Sequence, residues 1–190
     1  MLYAIAHWIR NNCPWIWDAV EWINSWLFYI RYRSRLKKVD GVLAGHCGVY
    51  SVESLNADSI TQLQDFFKRQ PEEAFIFFKP HGFDEKTIRK IQKSKSFLTY
   101  IVKENKEVVG YFFLRCYFIG KAFRGYMVDH QHRNKGISKL TAKVMTDITK
   151  LLDIPSYGTI SPDNMASMKS QNAKIIKQLK NGDYYVSYDS

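Results

Sequence analysis

The chain has 190 residues, of which 46% are apolar, so it is long enough to bury the core of one domain with an appendage. Its formal net charge of +10 is typical of proteins that meet nucleic acid, an anionic membrane or a phosphorylated ligand. Three cysteines without a Cys-x-x-Cys pair and five scattered histidines predict neither a disulfide framework nor a metal site. The same cysteine usage favours a reducing compartment, the cytoplasm.

The first forty residues differ from the rest in composition, because they hold every tryptophan of the chain. Pro14 suits the start of a helix, and Asp18, Glu21 and Ser25 share one face of it, leaving a wide apolar arc. We therefore predict an N-terminal amphipathic helical extension over residues 1–40, with the main domain over residues 41–190. The tryptophans are Trp8, Trp15, Trp17, Trp22 and Trp26, and the cations that follow are Arg31, Arg33, Arg35, Lys37 and Lys38.

This extension is too short and too polar near its middle for a membrane span, and it does not resemble a signal peptide. Two alternatives follow. The helix lies on a bilayer, with tryptophans at headgroup depth and the cations on anionic lipid, which would place the protein on the inner face of the membrane. Otherwise it packs on the domain or on a second subunit, and its aromatic side chains are buried. The membrane surface or second subunit would be contacted through residues 1–38.

The rest of the chain alternates between helical and strand patterns, which predicts a mixed α/β (α+β) fold with a largely antiparallel sheet flanked by helices. An NG turn joins the last two strands. The predicted strands are 46–51, 97–103, 108–118, 122–129, 174–179 and 184–188. The predicted helices are 59–70, 84–93, 165–172 and one that carries Leu140, Val144, Ile148 and Leu151 on one stripe and ends before Pro155.

The segment from Met127 to Lys139 is the most informative part of the chain. A strand ends there in a cationic turn, and an amphipathic helix follows. Free backbone N–H groups at a helix start, beside Arg133 and Lys135, attract anions. Gly136 lets a phosphate approach the backbone without meeting a Cβ. These features predict a site for a diphosphate-bearing ligand, although neither the P-loop nor the dinucleotide-binding glycine pattern is present.

Two motifs carry a resemblance to a known family. Arg133-x-x-Gly136-x-Ser138 resembles the Arg/Gln-x-x-Gly-x-Gly/Ala signature of the GNAT superfamily of acyl-CoA-dependent N-acyltransferases, with Ser at the last small position. Tyr157–Asn164 looks like that superfamily's next strand, which ends in Asn and is followed by a helix with a small residue, here Ser167. The resemblance runs from residue 45 to 188.

The resemblance implies a GNAT-like fold with acetyl-CoA as the acyl donor. Backbone groups of Met127 and Val128 would hold the pantetheine arm, and Asn164 would bind it from the other strand, beside Ser167. The pyrophosphate would lie on the loop and the first helical turn, which comprise Arg133, Lys135, Gly136, Ile137, Ser138 and Lys139.

The resemblance leaves the catalytic residues open. Many members place a Tyr on the helix after the Asn, where this chain has Ser170 and Gln171. His46 and Tyr126 are the weak candidates that remain. We expect an N-acetyltransferase that acts on the amine of a small molecule, an amino sugar if the extension lies on a membrane. The alternative is a catalytically weak or inactive acyl-CoA-binding module with a docking helix. No RNA-binding motif is visible, so no nucleic acid is expected.

Overall fold

The computed structural model describes residues 14–188. Residues 1–13, with Trp8, and residues 189–190 lie outside the described part of the chain. The elements, in chain order, are α1 (Pro14–Leu36), α2 (Val39–Ala44), β1 (Ser51–Ser54), α3 (Ile60–Lys68), α4 (Glu85–Lys93), β2 (Phe97–Glu104), β3 (Glu107–Tyr117), β4 (Lys121–Val128), α5 (Ile137–Leu152), β5 (Ser156–Ile160), α6 (Met165–Ser170), β6 (Lys174–Gln178) and β7 (Tyr184–Ser187), with short 3-10 helices at Glu72–Phe75 and His130–His132.

The strands form one seven-stranded sheet in the order β1-β2-β3-β4-β5-β7-β6. Every neighbouring pair is antiparallel except β4 and β5, which run parallel. Parallel neighbours need a crossover connection, and α5 supplies it. The predicted mixed fold with a largely antiparallel sheet flanked by helices is confirmed.

Helices cover both faces of the sheet, and the central strand β3 contributes to both layers. Phe112 and Leu114 are buried in one cluster with α1, α2 and α5, whereas Tyr111 and Phe113 are buried in the other with α3 and α4. Successive side chains of a strand point to opposite faces, so a strand buried on both sides reads as a continuous apolar run. The run from Val108 to Leu114 follows this rule.

Helix α1 packs on the domain through the face that carries its polar residues. Ser25, Phe28 and Tyr32 are buried, whereas Trp15 is 71% exposed and Trp22 is 64% exposed. The helix therefore docks on the domain, as one of the two alternatives expected. That alternative also expected buried aromatic side chains, which holds for Phe28 and Tyr32 but not for Trp15, Trp22 and Trp26, which are exposed. No helix within residues 14–188 has both the length and the apolar character needed to cross a bilayer.

The segment after α1 differs from the prediction. The strand expected at residues 46–51 is wrong: β1 begins at Ser51 and pairs antiparallel with β2. A short helix, α2, precedes it and buries Val39 and Leu43. Burial of these two side chains outweighs the low helix propensity of Gly41. Phe28 of α1 belongs to the same core cluster as the sheet. The boundary between an extension and a main domain at residue 40 stays a prediction.

Candidate functional site

The two parallel strands β4 and β5 pair only at their beginning. Ala122 pairs with Ser156 and Phe123 pairs with Tyr157, and no further pairing between the two strands occurs within the described residues. Beyond Phe123 the two strands are no longer paired, which leaves a gap between them. This gap opens into a cleft of about 630 Å³ between β4, β5, α6 and the start of α5.

The backbone of β4 presents alternate residues to this gap. The N–H of Ala122 donates to the carbonyl of Pro155 at 3.0 Å, which places it on the β5 side. Because alternate residues of a strand direct their N–H and C=O groups to the same side, Tyr126 and Val128 also face the gap. Met127 turns its backbone towards β3 and only its side chain lines the cleft. The backbone groups of Tyr126 and Val128 therefore face the gap, whereas those of Met127 do not.

The loop after β4 delivers an uncapped helix N-terminus to one end of the cleft. Gly136 has a φ of +84°, and a Cβ built on it meets no atom within 4 Å. No side chain of the described residues caps α5, so the amides of its first turn, including Ile137 and Ser138, remain available to an anion. Arg133, Ile137 and Ser138 line the cleft, and the exposed Lys135 adds positive charge beside them.

Asp129 fixes the start of that loop. It is 1% exposed, and its carboxylate accepts hydrogen bonds from Arg69 Nε at 2.6 Å, the backbone N–H of Gln131 at 2.8 Å and Gln70 Nε2 at 3.2 Å. Burial alone would raise the pKa of Asp129, but these hydrogen bonds outweigh it and lower the pKa to about 2. Gln70 Oε1 also accepts from the N–H of His130 at 3.0 Å. The end of α3 thereby holds the turn in place.

The opposite wall of the cleft comes from β5 and α6. Asn164 lines it, and its Oδ1 accepts a hydrogen bond from the N–H of Ser167 at 3.2 Å. Since that oxygen is engaged within α6, the Nδ2 group is the part of Asn164 that would donate to a ligand. Ser167 also lines the cleft. The structure thus brings both residues to the gap opposite Val128.

The two catalytic candidates lie in different places. His46 Nε2 is 2.8 Å from Asp147 Oδ2 on α5, and His46 is not among the residues that line the cleft. Tyr126 does line it, and its hydroxyl is 2.7 Å from Ser170 Oγ on α6. Burial raises the pKa of Tyr188, which also lines the cleft, to about 12, with Arg124 opposing the shift. Tyr188 is therefore a weak proton donor.

The remaining wall is aromatic and carries one carboxylate. Phe77 and Phe78 line the cleft, and Glu73 is the only Asp or Glu among its described lining residues. Phe78 also packs against the core cluster of α3 and α4, as Phe75 and Phe83 do. Phe78 therefore belongs to both the cleft wall and the core, whereas Phe77 lines the cleft and is 50% exposed.

Several residues at the site carried no signal in the sequence analysis. Asp129, Arg69 and Gln70 meet only because the chain folds, since about 60 residues separate Asp129 from the other two. His132 and Asn134 also line the cleft beside Arg133. An Asp at the end of a strand, directly before a cationic turn, is the one local signal that points to a fixed loop start.

The chain matches no protein-family model and no curated protein sequence. Solved structures do resemble it. The GNAT domain of S. lividans PAT shares 12% identity with a TM-score of 0.67, over 75% of this chain and 92% of that chain. Ribosomal-protein-S5-alanine acetyltransferase from Vibrio fischeri shares 12% identity with a TM-score of 0.63, over 74% of this chain and 92% of that chain.

A third similar structure is Mycobacterium smegmatis RimJ in complex with CoA-disulfide, at 13% identity and a TM-score of 0.62, over 74% of this chain and 81% of that chain. At such identity the likeness concerns the fold. The chain has the GNAT fold, as the two motifs predicted.

Proposed function

We propose that the protein is an acyl-CoA-dependent N-acyltransferase, with acetyl-CoA as the simplest donor and the amine of a small molecule as the acceptor. The observation that carries this proposal is the gap between β4 and β5 next to the uncapped start of α5. The gap offers strand-edge backbone groups to an extended amide-containing arm, and the helix start offers amides and positive charge to a pyrophosphate.

The residues present suit the donor along its length. The open position beyond Gly136 leaves room for phosphate oxygens against the backbone. Backbone groups of Tyr126 and Val128 on one side, and Asn164 on the other, would bind the amides of the arm. Arg133 would reach a phosphate from the loop, as a guanidinium binds oxyanions through two parallel N–H groups. The donor supplies a thioester whose carbonyl carbon accepts the amine.

The chain's own groups would then assist the transfer in three ways. A preorganised N–H of β4, at Val128, would polarise the thioester carbonyl. Glu73, at the mouth of the cleft, would attract a cationic amine and take its proton. The hydroxyl of Tyr126, 2.7 Å from Ser170 Oγ, would give its proton from Oη to the departing sulfur, and the second proton that the amine nitrogen loses after attack would restore this hydroxyl. Holding amine and thioester in one cleft supplies a further part of the rate.

For the acceptor we favour an amino sugar, as a nucleotide or on a lipid carrier. Phe77 and Phe78 offer apolar faces on which a sugar ring can lie, and Glu73 offers the charge that an ammonium group needs. A screen for coenzyme A release would compare amino-sugar nucleotides with polyamines and peptides. Release with the latter two classes alone would overturn the choice of acceptor but would leave the transfer chemistry in place.

The first experiment is a calorimetric titration of acetyl-CoA into the wild type and into Gly136→Asp. The variant places a carboxylate where the pyrophosphate would lie, so we expect micromolar binding by the wild type and about a hundredfold loss in the variant. The chain offers a matched control. Gly182 has a φ of +90° with no atom within 4 Å of a built Cβ, and it lies in the β6–β7 turn.

Gly182→Asp introduces the same backbone strain and the same charge, so it should bind acetyl-CoA as the wild type does. Equal losses in both variants would mean that strain, not the site, explains the effect. A folded wild type without affinity for acetyl-CoA would overturn the proposal. Tight binding without coenzyme A release across a broad amine panel would favour the acyl-CoA-binding module instead.

A further inference from the structure

The outward face of α1 is a continuous apolar surface that the proposed function does not use. Its side chains run over four turns, and a rise of about 1.5 Å per residue gives the face a length of about 22 Å. Exposure of this size on a folded domain marks a surface that meets another apolar body. The members of this face are Trp15 (71% exposed), Trp22 (64%), Ile23 (49%), Trp26 (40%), Leu27 (42%) and Ile30 (63%).

The polar contacts of α1 fix this face outward. Asn24 bridges to the β3–β4 turn, donating to the carbonyl of Cys116 at 3.1 Å and accepting from the N–H of Phe118 at 3.1 Å. Ser25 Oγ accepts from the N–H of Lys95 at 2.8 Å, and Phe28 is completely buried. The helix therefore cannot turn its tryptophans inward without breaking these contacts.

The acidic side chains of α1 face the domain, and cations at its C-terminal end lie on the outward, apolar side. Glu21 pairs with Arg115 at 2.8 Å, and Asp18 pairs with Lys90 at 2.5 Å, so both acids of the helix engage cations of the domain. Arg33 and Lys37, the cations on the apolar side of its C-terminal end, are exposed, whereas Arg35 pairs with Asp153 of the domain at 3.5 Å. An apolar face that ends in exposed cations, without an acid of its own, suits an apolar body with a negative surface.

We propose that α1 docks on the surface of an anionic lipid bilayer, with its axis in the plane of the headgroups. Ile23, Leu27 and Ile30 would reach the acyl boundary, and the indoles of Trp22 and Trp26 would lie at headgroup depth, where a large ring with one N–H group is most favourable. The cations that follow Ile30 would contact the anionic headgroups. A second copy of the chain fits this face less well, because it would bring cations and no acids to the interface.

Neighbouring features extend the same surface. Phe118 and Ile119 in the β3–β4 turn are 42% and 57% exposed, and Arg31 Nη1 donates to the carbonyl of Phe118 at 2.7 Å, so this turn lies beside the helix. Lys95 Nζ lies 3.5 Å from the ring centroid of Trp26, which adds a cation at the edge of the apolar face. The β3–β4 turn and α1 together give the domain one membrane-facing side.

The test is flotation of the full chain with vesicles of phosphatidylcholine alone and with about 30% phosphatidylglycerol. We expect binding to the anionic vesicles, and about a tenfold or larger fall in partitioning for Trp22→Ser/Trp26→Ser. The matched control is Ile175→Ser/Ile176→Ser on the edge strand β6, where two aliphatic side chains are about half exposed (52% and 50%). This control should bind as the wild type does.

Each other outcome overturns the proposal. No binding to either vesicle does so directly. Binding that persists in the tryptophan variant, and disappears in high salt, would reflect the net charge of the whole chain. A dimer in sedimentation that the tryptophan variant dissociates, without vesicle binding by the wild type, would assign the face to a second copy. Acetyl-CoA binding, measured alongside, should be the same in all variants, so failure here leaves the proposed enzymatic function untouched.

Discussion

The two long helices of the protein use the same amphipathic pattern in opposite ways. In α5 the apolar stripe, with Val144, Ile148 and Leu152, is buried against the sheet, and the polar side faces solvent. In α1 the buried face holds Ser25, Phe28 and the ion-paired Glu21, while the tryptophans face outward. Amphipathic periodicity thus fixes that a helix has two faces but not which of them meets the domain.

Each helix also leaves a different kind of group without a partner inside the described chain. The backbone amides in the first turn of α5 are not capped by a side chain, so an anion can bind to them. The apolar side chains on the outer face of α1 are exposed to solvent, so this face can bind an apolar surface. The molecule therefore has two unsatisfied surfaces of opposite chemistry, one suited to a phosphorylated ligand and the other to lipid.

The largest effect should come from comparing the two faces of α1 directly. Phe28 is completely buried, with its ring 4.7 Å from that of Tyr32, so Phe28→Ala should lower the free energy of unfolding by about 3–5 kcal/mol. Trp22→Ala, on the exposed face, should change it by about 0.5 kcal/mol or less. Urea denaturation at neutral pH measures both.

A larger loss of stability for Trp22→Ala than for Phe28→Ala would mean that the tryptophan face, and not the Phe28 face, packs on the domain. Equal and small effects would mean that α1 docks too weakly to contribute to the core. Either result would also remove the structural basis for a lipid-facing helix.

The sequence alone predicted the elements whose apolar residues recur with a regular helix or strand period and face the core. The strands β2, β3 and β4, the helices α3, α4 and α5 and the final hairpin lie where their periodicity placed them. The sequence did not predict which face of α1 packs on the domain, because the partners of its polar face, Lys95 and Arg115, lie 70 to 94 residues away. From the sequence alone, a polar side chain on a helix is expected to face solvent, because a distant partner that would bury it cannot be identified.

The site divides in the same way. Arg133 and Gly136 belong to a local motif that predicts an anion site, whereas Asn164 was predicted to lie beside them only from the resemblance to the GNAT superfamily. Asp129 and Arg69 make the loop rigid through contacts across 60 residues, for which no local pattern exists. The parting of β4 and β5 is likewise a property of strand pairing, and it came only from the resemblance to the GNAT superfamily.

The next prediction tests the role of the Tyr126 hydroxyl in the cleft beside α5. Tyr126→Phe removes the hydroxyl that lies 2.7 Å from Ser170 Oγ and leaves the ring. If this hydroxyl protonates the leaving sulfur, kcat should fall about a hundredfold while the Kd for acetyl-CoA stays the same. Tyr117→Phe, near the end of β3, serves as the matched control and should keep full activity. A parallel loss in kcat and acetyl-CoA affinity would instead make Tyr126 a binding residue.

The smallest effect concerns the turn that delivers α5 to the cleft. The pKa of Asp129 is lowered to about 2, so its contribution to stability is fully present above its unfolded pKa near 4 and is lost as the pH falls towards 2. The shift corresponds to about 2 kcal/mol. Asp129→Asn lacks the carboxylate, so the stability difference between wild type and variant should shrink by about that amount between pH 5 and pH 2, as measured by urea denaturation.

Asp65→Asn gives the control for this measurement. Asp65 lies on α3, as an exposed carboxylate with Lys68 at 3.7 Å, and such surface pairs contribute little. Its difference from the wild type should stay nearly constant over the same range of pH. A constant difference for Asp129→Asn as well would mean that Arg69 and Gln70 do not hold this carboxylate in solution. The loop would then be free to move, and the uncapped amides of α5 would not form a preorganised anion site.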